Sequence, residues 1–180
     1  MDDERYPIGR FAMPAEMTAA FRNECIEQIA EAPARLREAV ADLSDQQLDA
    51  PYRAQGWTIR QLVHHVADSH MNAYARIRLA LTEDEPTIKP YDQERWATLA
   101  DTRLPVDVSL QLLDALHARW VHAVRALDGP AFERAFVHPE DGRITLDEAL
   151  ARYAWHGRHH TAHVTALRRR MGWTAIRPVT

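Results

Sequence analysis

Four of the chain's ten histidines lie in one nine-residue stretch near its C-terminus. The stretch reads WHGRHHTAH, from Trp155 to His163. Within it, His156 and His160 stand four residues apart, which on a helix places them about 40° from each other. Two imidazoles at this spacing can direct their ring nitrogens to one metal ion. The stretch therefore indicates either a metal site or a polar helix face on which the histidines are incidental.

The helical wheel favours an inward orientation for this pair. The residues within about 60° of His156 are mostly apolar or aromatic; they are Ala149, Tyr153, His163 and Leu167. His159 lies about 60° to the other side and is expected nearer the boundary of the core. Buried neutral imidazoles need hydrogen-bond partners. Since no evident set of carboxylates is available to several of them side by side, a cation would satisfy them best.

The second long helix offers a third ligand in its stretch LVHHVADSHMNAY. The apolar residues of this helix centre about 100° from His65 and about 200° from His64. His65 therefore flanks the buried stripe, whereas His64 is expected in solvent. His70 lies about 140° from His65 and is expected at the surface or in an interface. A polar column beside His65 resembles a cavity wall and contains Ser69, Asn72 and Arg76.

The histidines between these two helices are weaker candidates for a site. His117 lies at the flank of the third long helix, where a pocket could include it, whereas His122 is expected to point outward. His138 precedes Pro139 and is expected in a loop.

Gly157 interrupts the histidine stretch. A glycine inside a helix costs roughly 1 kcal/mol relative to alanine, so its presence needs a physical reason. It lies about 100° from His156, at the rim of the inward face. A missing side chain at this place could admit a neighbouring helix or the substrate.

Capping signals divide the chain into four long helices. The expected spans are about 14–43, 58–81, 107–127 and 145–171. Capping boxes, in which an N-cap hydroxyl and a Gln or Glu three residues later exchange hydrogen bonds, are expected at Ser44, Thr58 and Thr145. Gly172 is expected as the C-cap of the last helix, and Pro33 is placed to kink or restart the first.

Two connections separate the later helices. Residues 83–105 are rich in Pro, Asp and Glu, and this connection is expected to pack over the bundle or to hold a helical turn of its own. The link HPEDGRI contains a turn and could form a small hairpin. The chain is therefore expected to be all-α, a four-helix bundle with one long crossover connection, in a single domain spanning residues 1–180.

Composition excludes several classes of function. The chain has 180 residues, a net charge of −4 and a pI near 6.2, which does not indicate binding to nucleic acid or to a membrane surface. It lacks signal-peptide features and an apolar run near the ~20 residues of a membrane span, so a cytoplasmic location is expected. Cys25 is the only cysteine, which excludes an intrachain disulfide and a Cys-based zinc site. Cys25 itself is expected to be a small buried apolar residue rather than a nucleophile.

A site of three neutral histidines leaves a coordination position open, as catalytic metal sites do. All-imidazole ligands suit Zn²⁺, and Ni²⁺ could also bind. Such an ion could activate water to attack an ester or amide, or it could bind a low-molecular-weight thiol as the thiolate that attacks an electrophile. Two alternatives have no catalysis: a metal-binding structural bundle, and a helical interaction module.

The sequence offers few candidates for a general base. The motif H-E-x-x-H is absent, and no Glu lies between His156 and His160. Asp68 is the nearest carboxylate to His65, but it lies about 60° away and could simply be a surface charge. Arg76 could pair with the carboxylate of an anionic thiol or form a surface salt bridge. This weak support for a base favours thiol transfer over hydrolysis.

Four segments resemble the YfiT-type branch of the DinB superfamily over nearly the whole chain. They are YPIGRF, PYRAQGWTIRQLVHHVADSHMNAYARIRLALTEDEP, HARW and ITLDEALARYAWHGRHHTAHVTALRRRMGW. Two motifs are specific for this family when they occur together: W-T-x-R-Q-x-x-x-H and the later H-G-x-H-H.

The resemblance implies a DinB-like four-helix bundle that binds about one divalent metal per chain. Matched to the family pattern, the ligands are His65, eight residues after Trp57, together with His156 and His160. The family implies a metal-dependent hydrolase or a thiol-S-transferase that uses bacillithiol or mycothiol, and it also implies a homodimer. It does not identify the small-molecule substrate.

Overall fold

Four long helices dominate the computed structural model, which describes residues 4–173. They are α1 (Ala19–Val40), α3 (Ile59–Thr82), α5 (Val106–Arg125) and α6 (Leu146–Met171). The short elements are α2 (Asp45–Leu48), α4 (Gln93–Trp96), two 3-10 turns at Ala100–Arg103 and Gly129–Glu133, and the hairpin β1 (Ala135–His138) and β2 (Gly142–Thr145). The all-α four-helix bundle is confirmed. No helix within residues 4–173 is long and apolar enough to cross a membrane.

The helix ends follow the local sequence. All three expected capping boxes are present, at Ser44, Thr58 and Thr145. Gly172 adopts the left-handed conformation, with φ +65°, and ends α6 as expected. The first helix begins five residues later than predicted, because the hydroxyl of Thr18 accepts a hydrogen bond from the backbone N–H of Phe21 and caps α1 there.

The long crossover makes α3 and α5 parallel. His64 contacts Ser109 near the starts of the two helices, and Tyr74 contacts Trp120 about three turns further along. The crossover, residues 83–105, contains α4 and the 3-10 turn Ala100–Arg103, which confirms the expected helical turn. It therefore covers part of α3 instead of leaving that helix exposed.

The first and last long helices also run parallel. Arg22 donates to Asp147 at their N-terminal ends, with Nε and Oδ1 2.7 Å apart. At their C-terminal ends the buried Arg168 donates from Nη1 to the carbonyl oxygens of Ala39 and Ala41, each at 2.8 Å. These bonds satisfy carbonyls that the end of α1 would otherwise leave unpaired. The hydrogen bonds of Arg22 and Arg168 together fix the position of α6, which contains the histidine stretch, against α1.

The link between α5 and α6 is a hairpin, as the sequence allowed. β1 and β2 pair antiparallel, with His138 opposite Gly142 at the turn. The prediction that His138 lies in a loop was therefore wrong. Its Nδ1 accepts hydrogen bonds from the backbone N–H groups of Glu140 and Asp141, both at 3.3 Å. This tight turn extends the pairing as far as His138.

Cys25 lies in the apolar core, as expected from the sequence. It is 2% exposed and packs within the same core cluster as Trp120 and Phe132. Burial raises the pKa of its thiol to about 11, which disfavours the reactive thiolate.

Gly157 lies where α6 packs closely against α1. A Cβ atom added to it would lie 3.2 Å from the Cβ of Ala32 and 3.6 Å from Cε1 of His70. The first distance is shorter than an ordinary van der Waals contact. The hypothesis that the missing side chain admits a neighbouring helix is therefore confirmed.

We expect Gly157→Ala to destabilise the protein despite the better helix propensity of alanine. The gain of roughly 1 kcal/mol is opposed by overpacking against Ala32, which typically costs about 1–3 kcal/mol. In an Ala32→Gly background the same substitution should be at least about 1 kcal/mol more favourable. Urea unfolding of the four proteins measures this coupling. Equal stabilisation by Gly157→Ala in both backgrounds would show that the close approach is unimportant.

Candidate metal centre

Three histidines converge where α3 packs against α6. His65 comes from α3, and His156 and His160 come from successive turns of α6. Each offers a ring nitrogen, and these nitrogens all lie within 4.8 Å of one another. Nε2 of His156 is 3.1 Å from Nε2 of His160, and the ring centroids of His65 and His160 are 5.0 Å apart. We call this group the three-histidine cluster.

Burial keeps the cluster uncharged. It lowers the pKa of His65 to about 4, and it lowers the pKa of both His156 and His160 well below the ordinary 6.5. For His156 and His160, the positive charge that a neighbouring protonated histidine would carry lowers the pKa further. At neutral pH all three imidazoles therefore have the neutral form, in which one ring nitrogen carries a lone pair.

A pocket of about 290 Å³ opens at the cluster. Besides the three histidines its lining includes Tyr52, Arg53, Trp57, Glu94, Trp155 and His159. Aromatic rings form much of the wall: the Trp57 ring lies 4.5 Å from His65, and the Trp155 ring stacks on His159 at 4.3 Å. The volume suits a small molecule.

Glu94 supplies the carboxylate that sequence reasoning did not find. It lies in α4, within the crossover, and lines the pocket. Its Oε2 accepts a hydrogen bond of 2.9 Å from Nε1 of Trp57, which holds the carboxylate against the pocket wall. The only sequence signal was the length of the connection, which predicted packing over the bundle without indicating which residue would reach the site.

Asp68 and Arg76 do not line this pocket among the residues that the structure describes. Asp68 is half-buried, and burial, followed by the nearby charge of Asp101, raises its pKa to about 6. Of the predicted polar column, Ser69 comes nearest to the cluster, with Oγ 3.5 Å from Nε2 of His156. Roles for Asp68 and Arg76 stay predictions.

His64 is buried, so the expectation that it lies in solvent was wrong. Its Nδ1 is 2.7 Å from the hydroxyl of Ser109, and its Nε2 is 3.1 Å from the carbonyl oxygen of Leu104. The crossover and the start of α5 cover this face of α3. Both ring nitrogens are therefore engaged away from the three-histidine cluster.

His70 is fully buried, so the expectation of a surface position was also wrong. Its two ring nitrogens bond to rings on different helices: Nδ1 to Nε2 of His117 at 2.8 Å, and Nε2 to Nδ1 of His156 at 3.1 Å. His117, which the sequence left open as a pocket residue, is buried, with Nδ1 2.6 Å from the carbonyl oxygen of Ile29. His122 is exposed, as expected.

The other two histidines of the stretch form a second pair on α6. Nε2 of His159 lies 3.1 Å from Nε2 of His163. Both side chains are buried, although His159 was expected nearer the boundary. Burial lowers the pKa of His159 to about 4. Burial, followed by the nearby charges of His159, Arg53 and Arg170, lowers the pKa of His163 to about 3.

Comparison with known proteins places the chain among close relatives. Residues 28–164 match the family model of the DinB superfamily. Over 173 residues the chain is 54% identical to a protein of Bacillus cereus strain B4264 named "Putative metal-dependent hydrolase", with 96% of this chain and 100% of that protein covered.

Solved structures share the same fold. YfiT from Bacillus subtilis, described as a probable metal-dependent hydrolase with an unusual four-helix bundle topology, matches with a TM-score of 0.92 at 46% identity, covering 95% of this chain and 99% of that one. A mycothiol-dependent maleylpyruvate isomerase matches with a TM-score of 0.60 at 18% identity, covering 79% of this chain and 63% of that one. The second likeness is one of fold alone.

Proposed function

Because this chain belongs to the DinB superfamily, we propose that it is a metal-dependent hydrolase whose ion is held by His65, His156 and His160. The observation that carries the proposal is the convergence of three neutral imidazoles, two buried and one half-buried, at the wall of a pocket that a carboxylate also lines. The names of the relatives that match over their full length support the same class.

The donor set fits a divalent cation. Neutral imidazole is the form of histidine that binds metals, and its proton does not have to be displaced at neutral pH. Three such ligands without thiolates or carboxylates suit Zn²⁺, with Ni²⁺ as the alternative. A bound ion of this kind supplies a Lewis acid that makes water or a thiol easier to deprotonate.

The chain's own residues would provide the remaining functions of a hydrolase. Glu94 would accept the proton of the attacking water at its carboxylate, and Trp57 would hold that carboxylate in place through its Nε1–H. Arg53, on the pocket wall, would bind an anionic group of the substrate.

We expect Glu94→Gln to lower the turnover of p-nitrophenyl acetate by the Zn²⁺-loaded protein about 100-fold, because a general base typically contributes that much or more. Metal content should not change, since Glu94 is not one of the three ligands. Glu140→Gln is the matched control, because Glu140 is exposed in the hairpin turn and outside the pocket. Equal turnover for the Glu94 and Glu140 variants would remove Glu94 from the mechanism.

Thiol transfer is the second candidate function. In this case the guanidinium of Arg53 would pair with a carboxylate of an anionic low-molecular-weight thiol in the pocket. The buried Cys25 cannot supply the sulfur, so a cosubstrate such as bacillithiol would have to do so. Conjugation of bacillithiol to monochlorobimane that depends on the metal would support transfer. Ester hydrolysis without any thiol, and without conjugation, would support hydrolysis alone.

The homodimer that the family resemblance implies stays a prediction.

A further inference from the structure

A continuous line of hydrogen-bonding groups connects the three-histidine cluster to the backbone of α1. Nδ1 of His156 lies 3.1 Å from Nε2 of His70. Nδ1 of His70 lies 2.8 Å from Nε2 of His117, and Nδ1 of His117 lies 2.6 Å from the carbonyl oxygen of Ile29. The line crosses the bundle through α6, α3 and α5 before it reaches α1.

The carbonyl at the end of this line sets the direction of every hydrogen bond in it. A carbonyl oxygen only accepts, so His117 must carry its proton on Nδ1 and donate it to Ile29. A neutral imidazole has one N–H, so Nε2 of His117 accepts from Nδ1 of His70. By the same reasoning, Nε2 of His70 accepts from Nδ1 of His156. The lone pair of His156 is thereby left on Nε2, the nitrogen that faces His160.

We propose that His70 and His117 are positioning residues, which act through His156 by fixing its Nδ1–H tautomer and directing its Nε2 lone pair into the three-histidine cluster. The inference rests on the proposed function in one respect, namely that the cluster binds a metal. Nothing in the hydrogen-bond directions themselves requires an ion.

Packing prevents the rings from turning out of this arrangement. His70 is 0% exposed and stacks on His117, with ring centroids 4.9 Å apart and planes inclined by 19°. Trp120 and Tyr153 contact it edge to face, with ring centroids 5.8 and 5.4 Å from that of His70.

The second ring nitrogen of His156 has a hydrogen-bond partner, Nε2 of His70, whereas, within residues 4–173, that of its neighbour His160 does not. The buried Nδ1 of His160 has no hydrogen-bond partner among the described residues. Histidine ligands to metals usually donate their second ring N–H to a partner. The loss of such a partner typically costs 10- to 100-fold in metal affinity. Of the two ligands on α6, His156 is therefore the one whose orientation a hydrogen bond to the surrounding chain fixes.

The test compares two substitutions at His117, which contacts no residue of the three-histidine cluster within hydrogen-bond distance. His117→Phe retains a ring but neither donates to Ile29 nor accepts from His70. His117→Gln retains both functions, because its amide N–H can donate and its carbonyl oxygen can accept. His122→Phe, at an exposed position of the same helix, is the control.

Two measurements decide the question. Long-range ¹H–¹⁵N spectra of the metal-free chain should show the Nδ1–H tautomer for His156, His70 and His117. Competition with a chelating dye should show that His117→Phe binds Zn²⁺ about 10- to 100-fold more weakly than the parent. Within about threefold, His117→Gln and His122→Phe should match the parent.

The outcomes separate this inference from the proposed function. An Nε2–H tautomer of His156 in the metal-free parent would overturn the inference whether or not the chain binds metal. If the parent binds Zn²⁺ and His117→Phe binds it equally well, or His117→Gln is as weak as His117→Phe, the inference is wrong while the metal site stands. If the parent binds no Zn²⁺, the proposed function fails. The tautomer spectrum alone then tests the directions of the hydrogen bonds from His156 through His70 and His117.

Discussion

Replacement of His160 by alanine should abolish stoichiometric metal binding. The substitution removes one of three lone pairs that converge within 4.8 Å, and the two remaining histidines lie on different helices. After dialysis against a weak chelator, metal content should fall from about one ion per chain to less than about a tenth. His156→Ala should have the same effect. Elemental analysis of protein purified without a histidine tag measures it.

The fold should survive this change. The buried Nδ1 of His160 has no partner among the described residues, so its removal breaks no hydrogen bond on that side of the ring. Circular dichroism of the metal-free variant should therefore match that of the metal-free parent. Loss of metal can then be attributed to the missing ligand.

His64→Ala is the control that separates the adjacent histidines of α3. Both nitrogens of His64 bond to other groups, Ser109 and the carbonyl of Leu104, so this variant should retain its metal. It should be less stable, because a buried hydroxyl and a carbonyl lose their partner. A His64→Ala protein without metal and a His65→Ala protein with a full site would show that the ligand assignment is wrong.

Acid should destabilise the metal-free chain steeply below pH 6.5. An unfolded histidine takes up a proton near pH 6.5, whereas in the folded chain burial lowers the pKa of His65 and His159 to about 4 and that of His163 to about 3. Between these values the unfolded state binds more protons, so the free energy of unfolding falls as the pH falls. Above pH 6.5 these histidines are neutral in both states, and their contribution to the free energy of unfolding is fully present.

The expected size of this effect is large. Each proton contributes about 1.4 kcal/mol per pH unit, so three histidines amount to about 4 kcal/mol per unit. The whole stability of a domain is typically about 5–15 kcal/mol. We therefore expect most of the stability of the metal-free chain to be lost between about pH 6 and pH 4. Urea midpoints measured across that range test the prediction, and equal midpoints at pH 7 and pH 5 would contradict it.

Local signals in the sequence predicted the helices well. Capping at Ser44, Thr58 and Thr145 depends on side chains within three residues of the helix start, so the sequence contains all the information that is needed. The left-handed Gly172 is a local feature of the same kind. The proximity of His65 to His156 and His160 could also be predicted, because the helical wheel and the family resemblance agreed.

The buried histidines outside the cluster could not be predicted in the same way. The wheel placed apolar residues inside and assigned polar ones to solvent, but His64 and His70 are buried because groups on other elements satisfy their nitrogens. Such pairings depend on which helices are neighbours. Glu94 is a similar case, since its position at the pocket depends on how the crossover folds back over α3. These features belong to the tertiary structure and leave no periodic pattern in the sequence.

Anomalous diffraction from crystals of the Zn²⁺-loaded chain is the most direct test of the central claim. Data collected on both sides of the zinc absorption edge should show one peak, at about 2.0–2.1 Å from a ring nitrogen of each of His65, His156 and His160. For His156 that nitrogen should be Nε2. A peak between His159 and His163 instead, or no peak among the three histidines, would contradict the proposed metal centre.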